Sequence, residues 1–200
     1  MWRKLGVTVI LCMVMLGFGP MAEAGSPVLG VTGGSGGTPG ATTTHGWRFT
    51  ANEAITITDL GLYDGDDDGM TIEHPIGLFR FDTAELLTSG TIHIGTGDPL
   101  IDHFRYIDVP DVTLQTGVDY VVAYYSATTS SDFVILTPTD LWFDSSITYR
   151  EARYGGGIGL AIPPTVTTSF YRIGPNFLFV PEPASLGLLL IGGLALLRRR

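Results

Sequence analysis

An acidic run, Asp64-Gly65-Asp66-Asp67-Asp68-Gly69, is the sharpest chemical feature of this 200-residue chain. Carboxylates at alternate positions, Asp64, Asp66 and Asp68, can converge on one hard cation. The glycine that follows lets the backbone turn, so that a carbonyl can join them. This is the opening spacing of a calcium loop, and calcium is the cofactor it suits. A full loop places a bidentate glutamate at its twelfth position; here that position is Pro75, and Glu73 stands two residues earlier. Glu73 is therefore the fourth candidate ligand. The plainer alternative is an acidic hairpin turn in which Asp-Gly supplies positive φ.

Aromatic side chains offer a second chemistry, the stacking of sugar rings. Trp142 lies between Asp140 and Asp144 in a polar stretch and is expected to be exposed, with Tyr149 as its companion in a ligand-binding platform. Trp47 sits inside a strand pattern and belongs in a core. Gly33-Gly34-Ser35-Gly36-Gly37 matches G-x-S-x-G, but a nucleophile elbow needs a buried strand before it and a helix after it, and Thr38-Pro39 follow instead. His45, His74, His93 and His103 lack metal-ligand spacing and read as solvated or turn histidines. No acid is singled out by an apolar surround, so no catalytic residue is assigned and an enzyme is not expected.

These groups must be positioned by strands. Short runs rich in Val, Ile, Thr, Tyr and Phe alternate with Gly, Pro and Asp, and no stretch keeps a helical period over three turns. The fold class is all-β, a single sandwich. Strands are expected at 46–50, 55–63, 75–81, 91–95, 104–109, 119–126, 133–136, 147–154 and 170–173. Within 55–63, Ile55 and Ile57 share one parity while Leu60 and Leu62 have the other, which requires a β-bulge near Thr58-Asp59. The run 118–125 is apolar on both faces and should be central.

The ends read as processing segments. Arg3 and Lys4 precede a 14-residue apolar stretch, Leu5 to Phe18, and Ala22-Glu23-Ala24 gives the small-x-small site of a signal peptide, residues 1–24, cut after Ala24. Residues 25–45, with seven glycines in the first sixteen, read as a flexible leader, and 46–180 as the β domain. Residues 181–200 form a tail in which Pro181-Glu182-Pro183 precedes a 14-residue apolar run and three arginines. That run reaches only about 21 Å as a helix, short of a bilayer core, which suits a transient inner-membrane anchor with its arginines on the cytoplasmic side. Setting aside Glu23 and Glu182 leaves 18 acids in residues 25–180, and setting aside Arg3, Lys4 and the terminal arginines leaves six bases, for a net charge of −12 with no lysine. Such a surface excludes a nucleic-acid partner. The single cysteine, Cys12, falls in the apolar stretch, which excludes a disulfide scaffold.

The tripartite tail resembles the PEP-CTERM sorting signal of exopolysaccharide-producing Gram-negative bacteria. That resemblance implies cutting near Pro181, Glu182 and Pro183 by an exosortase, so these residues are acted upon. The domain is also similar to an uncharacterised β-sandwich domain common in secreted PEP-CTERM proteins. The similarity rests on Gly46-Trp47-Arg48-Phe49-Thr50, the segment from Ile55 to Asp64, and His74-Pro75-Ile76-Gly77-Leu78-Phe79. It continues through Phe104-Arg105-Tyr106, the segment from Leu114 to Tyr120, and Gly174-Pro175-Asn176-Phe177. It implies a jelly-roll-like fold and no known catalytic residues. The expected protein is exported, with signal peptidase and exosortase as processing partners, and held first at the inner membrane and then at the outer surface or in an extracellular matrix. Its expected role is structural or interactive, in contact with extracellular polysaccharide of the biofilm matrix. The alternatives are a calcium-assisted carbohydrate-binding module and, behind it, a secreted polysaccharide hydrolase or lyase.

Overall fold

The computed structural model describes residues 25–33, 35–129, 132, 134–168 and 171–182. Among them the chain is all-β. The strands are β1 (Ser26–Pro27), β2 (Leu29–Thr32), β3 (Ser35–Gly37), β4 (Thr43–Ala51), β5 (Ile55–Tyr63), β6 (His74–Arg80), β7 (Leu86–Ile92) and β8 (Leu100–Ile101). They continue with β9 (Phe104–Leu114), β10 (Asp119–Ser126), β11 (Val134–Thr137), β12 (Asp140–Phe143), β13 (Ile147–Gly156), β14 (Thr165–Thr167) and β15 (Pro175–Pro181). A five-stranded antiparallel sheet, β1-β15-β5-β9-β8, shares one core with a six-stranded sheet, β14-β13-β4-β10-β6-β7. Two small pairs, β2 with β12 and β3 with β11, flank them.

The core follows from strand alternation. Trp47 and Phe49 of β4 point inward and meet Phe177 of β15, with ring centroids 6.0 and 5.2 Å apart. The Trp47 indole N–H, which burial would otherwise orphan, donates to the Pro175 carbonyl at 2.8 Å. Each large apolar side chain buried here contributes about 1.5–3 kcal/mol of transfer free energy.

The parity change in β5 is resolved as the sequence requires. Ile55, Ile57, Leu60 and Leu62 are all buried. Against β15, Thr58 is the extra residue, since Leu178 and Phe179 face Asp59 and Ile57. Against β9 the register also shifts there, with Ile57 opposite Val112 and Asp59 opposite Asp108. Pro110 lies in that irregular stretch of β9, where its missing N–H does least harm to the ladder. The central position of β10 also holds. It lies between β4 and β6, with Val122 in the main core and Val121 and Ala123 in a second cluster with Phe79, covered by Leu160 and Ile162.

Three expectations need correction. The 91–95 strand is β7, which begins at Leu86, after the turn at 81–83, and ends at Ile92. No strand covers 171–173, where Ile173 makes only an isolated bridge to Ile135; Phe170 lies outside the described residues. The strand that completes this region is β15, whose Pro175 occupies the first position, where a proline is tolerated. The third is the leader. Residues 25–45 contribute β1, β2, β3 and the start of β4, and Val28, Leu29 and Val31 are buried. Glycine here permits close approach. A Cβ at Gly30 would sit 2.3 Å from the Trp142 indole nitrogen.

Two of the four histidines are buried, against expectation. His74 bonds the Tyr125 carbonyl (3.3 Å) and Asp132 (2.8 Å). His45 lies opposite Tyr124 in the ladder and stacks on its ring at 5.7 Å. Its Nδ1 is 3.3 Å from the Arg172 guanidinium and its Nε2 is 3.2 Å from the Thr43 hydroxyl. Burial first, and the Arg172 cation second, lower the His45 pKa to about 4. The unfolded chain therefore binds a proton near pH 6.5 that the native state refuses until about pH 4. His45 withdraws on the order of 3 kcal/mol of stability as pH falls through that window and none above it. Thermal melts from pH 7 to 4 should show this loss, and His45→Gln should flatten it.

Candidate functional site

The acidic loop leaves β5 at Tyr63 and is built around one buried carboxylate. Asp64 is 4% exposed, and its Oδ2 accepts hydrogen bonds from the Gly69 N–H (3.0 Å) and from Arg105 Nε (2.7 Å). The first bond closes the loop on itself. The second ties it to the start of β9. Arg105 is also buried, and its other nitrogens donate to the carbonyls of Asp67 (3.0 Å), Thr96 (3.3 Å) and Asp98 (3.1 Å). One guanidinium thus fixes two neighbouring loops. Gly69, at φ 103°, packs on the second: a Cβ there would lie 2.5 Å from the Gly95 carbonyl carbon. Asp67, also at positive φ, accepts a bond from His103 Nδ1 at 2.8 Å.

The carboxylates of Asp64, Asp66 and Asp68 converge, one oxygen from each lying within 4.8 Å of the others, with Asp66 and Asp68 exposed. Their mutual repulsion is visible in Asp68. The charge of Asp66 first, then desolvation, a hydrogen bond with Asp66 and the charges of Asp64 and Asp132 raise its pKa above the ordinary carboxylate value. Oxygen-only donors at this separation suit a hard divalent cation. Glu73 does not join them. It lines an open groove of about 500 Å³ with Ile72, Pro75, Thr91 and Ile94. Asp132, whose charge Asp68 does feel, is instead held by His74 and by the N–H and hydroxyl of Thr71.

The aromatic pair is not assembled. Trp142 is 49% exposed, as its polar neighbours imply. Tyr149 packs away from it, stacked on Phe143 at 4.9 Å and tilted against Trp47. Successive side chains of a strand point to opposite faces, so Phe143 and Trp142 cannot present one surface.

At the other end of the chain, Pro181 closes β15 opposite Ile55. The Glu182 N–H donates to the Ala54 carbonyl at 3.3 Å, and its carboxylate accepts bonds from the hydroxyls of Thr56 and Thr113. Pro183, Ala22 and Ala24 lie outside the described residues.

Sequence reasoning missed Arg105. Its signal was available: a lone arginine between Phe104 and Tyr106, in a domain with six bases, implies a buried cation that must find a carboxylate. No family model matches the chain, and no curated protein is significantly similar to it.

Arg105→Ala leaves Asp64 buried without its counter-charge and should cost about 3–5 kcal/mol. Arg105→Lys keeps the charge but not the planar fork, and should recover part of that loss. Urea unfolding of the two variants beside the wild type checks both.

Proposed function

We propose that this is a secreted or cell-surface structural or interaction protein, sorted by an exosortase through residues 181–200 and associated with extracellular polysaccharide. The observation that carries this reading is the junction at the end of β15. The last strand among the described residues, β15, ends at Pro181, and in the sequence Glu182-Pro183, the apolar run and the arginines follow at once. A domain joined so closely to a short apolar segment suits transient display at a membrane. The acidic surface supports a hydrated, soluble matrix component that meets anionic polymers through cations. We read the sandwich as jelly-roll-like, because the chain passes repeatedly between the two larger sheets. In a host that makes an exosortase, the mature protein should end within or next to 181–183. In the same host without the enzyme it should retain the tail. Identical intact masses in the two hosts would sink the reading.

A second reading is favoured by the converging oxygens of Asp64, Asp66 and Asp68. It is a carbohydrate-binding module assisted by calcium, with Trp142 as the exposed aromatic and without Tyr149. Bound calcium relieves the repulsion that raises Asp68, and a ligand that binds only the native state stabilises it by mass action. Millimolar calcium should then raise the melting temperature by several degrees, and Asp66→Ala with Asp68→Ala should abolish the rise. Equal melting temperatures in calcium and in chelator would remove the metal from the reading.

A further inference from the structure

The junction that carries the sorting reading is not free. Pro181 has no N–H to give to the ladder, so the backbone alone holds the end of β15 weakly. What closes it is Glu182, through its N–H to the Ala54 carbonyl and its carboxylate on two hydroxyls. Those hydroxyls belong to Thr56 and Thr113, cross-strand partners on β5 and β9 whose oxygens lie 2.8 Å apart. They form a ready-made pair of donors beside the exit of β15. No cation pairs with Glu182 among the described residues. Neutral donors on a partly exposed carboxylate hold it reversibly, where a buried ion pair would hold it shut.

An enzyme that cuts a peptide bond must take the chain in an open, extended form with its backbone groups available. In this structure Pro181 is paired with Ile55, and the Glu182 N–H and carboxylate are already committed to the domain. We propose that the domain regulates the processing of its own tail: the Thr56–Thr113 pair latches Glu182 to the sheet, and the motif becomes a substrate only when the end of β15 lets go. This rests on the sorting reading above, and it adds a rate that the folded domain sets.

The test uses the full chain in detergent micelles and hydrogen exchange at the Glu182 N–H, with exchange at the Val122 N–H of the core as the internal reference for intactness of the fold. Thr56→Val with Thr113→Val preserves strand-forming shape and removes both donors. Exchange at Glu182 should quicken about five- to tenfold relative to Val122, the scale of one net hydrogen bond. Thr56→Ser with Thr113→Ser keeps the hydroxyls and should exchange at the wild-type rate. In an exosortase-bearing host, pulse–chase should show the valine variant losing its tail faster by a similar factor. Unchanged exchange at Glu182 overturns the latch whatever the host does. Faster exchange with tail loss at the wild-type rate overturns its control over processing. No tail loss from either protein in that host overturns the sorting reading itself.

Discussion

The buried pair of Arg105 and Asp64 is the constraint on which one end of the sandwich depends. A carboxylate this deep would be costly without a counter-charge, and a guanidinium this deep would be costly without acceptors for its remaining nitrogens. Each solves the problem of the other. The carbonyls of Asp67, Thr96 and Asp98 take up the rest of the fork, so the pair also sets where two loops lie. The exposed acids of the first loop are held together because Arg105 neutralises the one beneath them. A cation at Asp66 and Asp68 would add to this arrangement from outside.

The same economy runs through the other arginines. Arg48 bonds Asp119, approaches Glu151 at 3.6 Å and lies over the Phe81 ring at 3.8 Å. Arg153 bonds Glu151 and the Pro163 and Pro164 carbonyls, which hold the 157–164 segment across the outer face of β10. Arg172 sits on the Tyr154 ring and against His45. A point-charge ammonium could not serve several planar and carbonyl partners at once. The places of Arg48, Arg153 and Arg172 therefore suit a guanidinium rather than an ammonium.

How much of this was legible depends on how local the signal was. The bounds of β5 and β10 and the bulge at Thr58 could be read because side-chain parity along a strand is written in consecutive residues. The burial of Trp47 and the exposure of Trp142 followed from their immediate neighbours. The glycine-rich segment misled because composition reports freedom of the chain, whereas Gly30 is small so that Trp142 can lie against it. Arg105, Asp132 and the threonine pair were hidden for a different reason. Their partners are remote in the chain, and only strand pairing and the loops at the strand ends bring them together. Within the candidate site, the three aspartates could be read from spacing, while the departure of Glu73 into the groove and the packing of Tyr149 against the core could not.

The pairing of β1 with β15 has a kinetic consequence. Ser26 lies opposite Phe179, so nearly the whole described chain separates the two sides of this contact. A contact between such distant residues forms slowly and contributes nothing until the last strand is in place. A chain released from its N-terminus presents Ile55, Ile57 and Leu60 before their neighbours Pro181, Phe179 and Phe177 on β15 exist. The five-stranded sheet therefore stays incomplete until residues 175–181 are free to pair. It closes only when Ser26 and Phe179, side by side in the finished sheet, have both arrived.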